Sequence, residues 1–78
     1  MELSVCAIYD KKTGLFDQPM TVRHNGDMIR QWDIVRKDAQ TKFGKNPEDF
    51  DLYQIATYDD ATGNLTALQP HTHLASGV

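Results

Sequence analysis

Each thing this 78-residue chain lacks rules something out. It has one cysteine, Cys6, so no disulfide can staple the fold and a reducing compartment is expected. No apolar run approaches the roughly 18–20 residues that cross a bilayer, so no membrane partner is expected. The opening MELSVCAIYD has neither a basic leader nor a cleavage signature. No signal peptide is therefore expected, and cytoplasm is the default. No Gly-rich phosphate loop, zinc-ligand spacing or nucleophile–base pattern occurs. An enzyme, a cofactor and a bound metal are accordingly not expected.

Positive charge is missing from the whole second part of the chain. Residues 46–78 hold five acids and no Lys or Arg, whereas residues 11–45 hold all eight cations against four acids. The overall charge of −3 thus hides a basic first half and an acidic second half. Such polarity matters for partners rather than for fold.

What is present reads as one small α+β domain. LSVCAIY (3–9) is apolar and β-branched, a strand buried on at least one face. LFDQPMTVR (15–23) reads as a second strand, and Pro19 makes it an edge strand or a bulged one. Asn25 or Asp27 can cap a helix. Met28, Trp32, Val35 and Ala39 then form one apolar stripe of a helix running to about Gln40. Gly44 suits a left-handed position after it, and Pro47 cannot continue it. EDFDLYQIATYDD holds the third strand, and NLTAL (64–68) the short fourth. QPHTHLASGV has no period and is expected to be a loose tail. The expected plan is β-β-α-β-β: a helix on an antiparallel sheet over residues 1–68, with 69–78 flexible.

The hairpin loops repeat. YDKKTG (9–14) and YDDATG (58–63) share Tyr, Asp, Thr and Gly at the same offsets. The carboxylate can accept from amides ahead of it, and the glycine can take positive φ. Turn chemistry accounts for both copies, and a pair of binding loops is the functional alternative.

The strongest candidate site is a basic surface. Arg30 and Lys37 share the outer face of the expected helix, and Arg36 flanks its apolar stripe. Arg23, Lys42 and Lys45 bracket the helix, and Lys11 and Lys12 lie on the first hairpin. Phosphates are matched by such cations, with counterion release supplying much of the affinity. Phe16, Phe43, Tyr9, Tyr53 and Tyr58 could stack on bases. The bland alternative is a solvated helix face interleaved with Asp33 and Asp38. Trp32 reads as core, with its N–H seeking a partner at the core's edge. Ile34 faces away from the stripe and could mark self-association. His24, His71 and His73 do not amount to a metal site. Glu48, Asp49 and Asp51 cluster without a catalytic partner, and Glu48 and Asp49 suit the first turn of a short helix after Pro47. Cys6, in a buried strand, is expected to be inert.

AIYDKKTG, Pro19, and NPEDFDLYQIATYDDATG (46–63) together carry a resemblance. The chain resembles, over about residues 3–68, the small nonstructural protein of the fifth open reading frame of gokushoviruses, single-stranded DNA phages of the Microviridae. The run Pro47, Glu48, Asp49, Phe50, Leu52 and Tyr58 to Gly63 is its most specific part. The resemblance implies a single-stranded-DNA-associated factor in the bacterial host cytoplasm that helps replication switch from duplex to single strands. It transfers no functional residues. The expected partners are single-stranded DNA and a second copy of the chain, as a homodimer or larger assembly. The alternative is a homo-oligomeric adaptor for a replication initiator, a host factor or a capsid precursor.

Overall fold

The computed structural model describes all 78 residues. Strands β1 (Glu2–Asp10), β2 (Leu15–Phe16) and β3 (Met20–Val22) come first, then helix α1 (Asn25–Val35) and a one-turn helix α2 (Lys42–Lys45). A 3-10 turn (Pro47–Asp49) leads into β4 (Phe50–Asp59), and β5 (Asn64–Ser76) ends the chain. The class is α+β on an antiparallel sheet of order β2-β1-β4-β5, with β3 continuing the β2 edge beside β1.

The apolar run of β1 is continuous because both of its faces are covered. Val5, Cys6, Ala7 and Ile8 are all buried. Cys6 and Ile8 join Met28, Trp32, Phe50 and Leu52 in the core under α1. Ala7, by strand alternation, points to the opposite face. The expected second strand is broken in two. Pro19 has no N–H for the ladder, and after the Asp17 amide has donated to the Ile8 carbonyl, Gln18–Pro19 leave the ladder until the Cys6–Met20 pair.

The helix departs from expectation at both ends. Its N-cap position is His24, and no side chain caps it. Asn25 instead turns inward, accepting from the Ser4 hydroxyl and donating to Gln54 Oε1 at 3.1 Å. That ties the helix start to β1 and β4. The helix stops at Val35 rather than near Gln40, which leaves Ala39 exposed and outside the core. Local side chains compete for the backbone there. Asp38 accepts from the Gln40 amide, and the Thr41 hydroxyl donates to the Val35 and Asp38 carbonyls. The same hydroxyl then caps α2 by accepting from the Gly44 amide.

Gly44 lies inside α2, not in a left-handed position. A Cβ there would stand 1.9 Å from the Asp38 carbonyl oxygen, so close approach demands the glycine.

The largest correction concerns residues 69–78, which are not a loose tail. β5 runs to Ser76, pairing with β4 in two stretches. Ala56 to Asp59 face Ala67 to Asn64, and Asp51 to Gln54 face Ser76 to Thr72. Pro70, preceded by a cis peptide bond, lies between the stretches, where no ladder N–H is needed. Three contacts hold the end down. Trp32 Nε1 donates to the Ser76 carbonyl at 3.1 Å, Arg36 Nη1 to the Gly77 carbonyl at 3.2 Å, and the Gly77 amide to the Phe50 carbonyl at 2.9 Å. The partner that the buried indole needs is thus the chain's own C-terminal strand.

Candidate nucleic-acid interface

The repeated motif builds the same turn twice. Gly14 and Gly63 have φ of 73° and 75°. Their amides donate to the Asp10 and Asp59 carbonyls at 2.9 and 2.7 Å. Asp10 Oδ1 accepts from Lys12 N, and Asp59 Oδ1 from Ala61 N, each at 2.9 Å. Thr13 and Thr62 hydroxyls accept from the residue after the glycine. Only the variable positions differ, and they set the charge. The first tip carries Lys11 and Lys12, the second Asp60 and Ala61.

These tips stand at opposite ends of the molecule. β1 and β4 are antiparallel, with Asp10 opposite Phe50 and Glu2 opposite Asp59. The longest dimension is 39 Å. At the acidic end the terminal ammonium donates to Asp60 at 2.7 Å, which raises the pKa of the ammonium and lowers that of Asp60.

The predicted basic set does not form one patch. Lys11 pairs with Asp51 at 3.8 Å, and Lys42 with Asp17 at 3.1 Å. Arg36 and Lys37 both hold Asp33, at 2.5 and 3.3 Å. The amide of Gln18 foremost, with Lys42, lowers the Asp17 pKa; hydrogen bonds from Arg36 and then Lys37 lower that of Asp33. Lys12, Arg23, Arg30 and Lys45 have no ion-pair partner within 4 Å. Because α1 ends early, Lys37 sits in the following turn instead of above Arg30 on a helix face. Arg23 follows the Val22–Ser4 pair, roughly 20 Å along β1 from Lys11. Lys42, by contrast, borders a 220 Å³ cleft with Asp10, Thr13 and Asp17, so it joins Lys11 and Lys12 at the first-hairpin end.

Distance along the chain concealed the feature that the fold assembles on the sheet face away from α1. Tyr9, Phe16 and Tyr53 lie mutually within 4.8 to 6.2 Å, ring centre to ring centre. His71 stands edge-on to Phe16 at 5.5 Å, and His73 edge-on to Tyr53 at 5.2 Å. Phe16 and His71 come from the two edges of the sheet, and their side chains meet across this face. The face carries a shallow, open cleft of 370 Å³ lined by Tyr9, Phe16, Tyr53, Pro70 and His71. The other aromatics lie elsewhere: Trp32 is buried, Phe43 packs on Trp32 and Phe50, and Tyr58 pairs with Leu3 toward the acidic end.

Asp51 sits beside this face, its side chain largely buried. Oδ1 has no hydrogen-bond partner and lies 3.7 Å from His73 Nε2. Ser76 Oγ approaches the same Nε2 at 3.4 Å. Both contacts fall on one ring nitrogen, whereas a relay needs the carboxylate on one nitrogen and the hydroxyl on the other. No group of three or more His, Cys, Asp or Glu is placed to hold a metal ion. Burial pushes the Cys6 thiol pKa up, against a smaller opposing effect of the Ser4 hydroxyl. No helix is long and apolar enough to cross a membrane.

Fold and surface together define a small α+β protein with one helix-covered face, one ring-lined face and hairpins of opposite charge. The chain belongs to the family described as Phage ORF5 protein, whose model matches residues 3–78. That match takes in the C-terminal strand, beyond the residues that carried the sequence resemblance. No curated protein and no solved structure matches the chain.

Proposed function

We propose that this phage protein is a single-stranded-DNA-associated replication factor. It occupies strands stoichiometrically, without turnover, and so favours single-strand over duplex synthesis in the bacterial cytoplasm. The observation that carries the reading is the charge split between two otherwise matching hairpins, with Lys11 and Lys12 on one tip and Asp60 and Ala61 on the other, at opposite ends of the sheet. Exposed ion pairs such as Lys42–Asp17 are weak, and a phosphate can replace the carboxylate. Anisotropy of a labelled oligonucleotide, titrated at several salt concentrations, tests the reading. Affinity is expected to fall steeply with salt, at about −0.7 per phosphate contacted on the log–log scale. Replacing Lys11 and Lys12 together by Gln should flatten the slope by about 1.4. No anisotropy change at low salt would overturn the reading in favour of the adaptor.

Self-association stands beside it on a separate observation. β5 is an edge strand without Lys, Arg, Asp or Glu, the charges that commonly protect an edge, and Pro70 interrupts it only between its two paired stretches. A second copy pairing there would lengthen the sheet. Sedimentation showing only an 8.8 kDa monomer at high concentration would end that proposal.

A further inference from the structure

We infer that the ring-lined, helix-free face is a base-stacking site, in which nucleobases of a single strand lie against Tyr9, Phe16, Tyr53 and His71. The inference rests on the single-stranded-DNA reading and assigns its recognition surface.

Four observations converge on it. The first is the concentration of π-surface. Three aromatic side chains and one imidazole share a face that no helix covers, and Phe16 is 43% exposed. Every base has a π-face, so such a platform accepts bases without strong sequence preference. The second is shape. The cleft is shallow and open to solvent, with Pro70 and His71 lining it beside the rings of Tyr9, Phe16 and Tyr53, so a flat base can reach the ring faces from outside.

The third is the set position of His71. Its Nδ1 lies 2.9 Å from the Leu68 carbonyl oxygen, which can only accept, so Nδ1 carries the proton. In the neutral ring Nε2 is left as an acceptor for a donor on a base edge. The fourth is charge. Phe16 and Tyr9 adjoin the first hairpin, so the rings border the end that presents Lys11 and Lys12. Asp51, opposite Tyr9 in the sheet, lies 3.8 Å from the Lys11 ammonium, and Asp17, next to Phe16, is paired with Lys42, so a cation stands beside each of these carboxylates. Bases on the rings with phosphates over the first hairpin satisfy both components of a single strand.

The test compares two labelled oligonucleotides of equal length and charge, oligo-dT and its abasic counterpart, on the full chain at low salt. Stacking predicts that oligo-dT binds at least tenfold tighter. Phe16→Leu keeps an apolar side chain on an exposed edge and removes the ring. It should erase most of that difference, and Tyr9→Phe, which keeps the ring, should retain it. Equal affinity for the two oligonucleotides would overturn the platform while leaving phosphate binding intact. Binding of neither would overturn both the platform and the reading beneath it. If Phe16→Leu instead changes the sedimentation coefficient, the rings are covered by a second copy, and the platform is again overturned.

Discussion

Gly77→Ala is the change that the packing forbids most clearly. A Cβ at Gly77 would stand 1.6 Å from the Pro47 carbonyl oxygen and 2.5 Å from its carbon. Both are backbone atoms of the 3-10 turn, so no side-chain rotation relieves the clash. The last residues must lift away instead. Lifting breaks the Gly77 amide bond to Phe50 and takes the Ser76 carbonyl from the Trp32 indole. Trp32 is only 1% exposed, so its N–H is left as a buried, unpaired donor. That costs about 1–3 kcal/mol, and the backbone bond about 1 more, for a total of about 2–4 kcal/mol. A domain of this length holds only about 4–12 kcal/mol of stability, so the loss is large. Urea unfolding should show it, with Gly26→Ala as the control. Nothing lies within 4 Å of a Cβ at Gly26, and alanine there should stabilise the helix by about 0.5–1 kcal/mol. In a Trp32→Phe background no indole donor is orphaned, so Gly77→Ala should cost less. Stability of Gly77→Ala within about 0.5 kcal/mol of the parent, on the scale of ordinary surface changes, would refute the reasoning.

Gly14→Val and Gly63→Val should each lose about 1 kcal/mol or more, because a β-branched residue is strained at φ near +73° or +75°. Melting curves that coincide with the parent's would contradict this. Stability should also respond to pH at two extremes. Asp17, Asp33 and Asp60 have lowered pKa values, so their contribution is complete above the unfolded carboxylate value of about 3.9 and is lost as pH falls further. The terminal ammonium is raised, so its contribution is complete below about 8 and fades as pH rises past its folded value. All four groups are exposed, and salt should shrink both effects. A melting temperature that rises from pH 5 to pH 3 would contradict the assignment.

Local signals were legible in the sequence, and contacts between distant residues were not. The two turns follow from neighbouring residues alone, and their Asp, Thr and Gly perform the roles that their types suggest. β1, β4 and the Met28–Trp32–Val35 stripe are likewise periodic or apolar enough to read. The C-terminal strand carries no such period: Pro70, two histidines and small residues give no alternation. What orders it lies elsewhere, in the Trp32 indole, the Arg36 guanidinium and the Phe50 carbonyl. Gly44 shows the same limit, since its reason is a carbonyl six residues away that only the folded turn brings near. The counterions of the basic set come partly from afar, Asp17 for Lys42 and Asp51 for Lys11, and no local signal shows them. The rings were each visible, but Tyr9, Phe16, Tyr53 and His71 are joined only by the strand order.

On the proposed reading, one face and one end of this protein meet single-stranded DNA. Titration of isotope-labelled protein with oligo-dT, followed by amide and aromatic NMR shifts, maps the contact. The largest changes are expected on Tyr9, Lys12, Phe16, Tyr53 and His71, with the Asp59–Gly63 hairpin and the outer face of α1 around Arg30 nearly still. Shifts centred on Arg23 and Arg30, or a spectrum unchanged by saturating oligonucleotide at low salt, would contradict it.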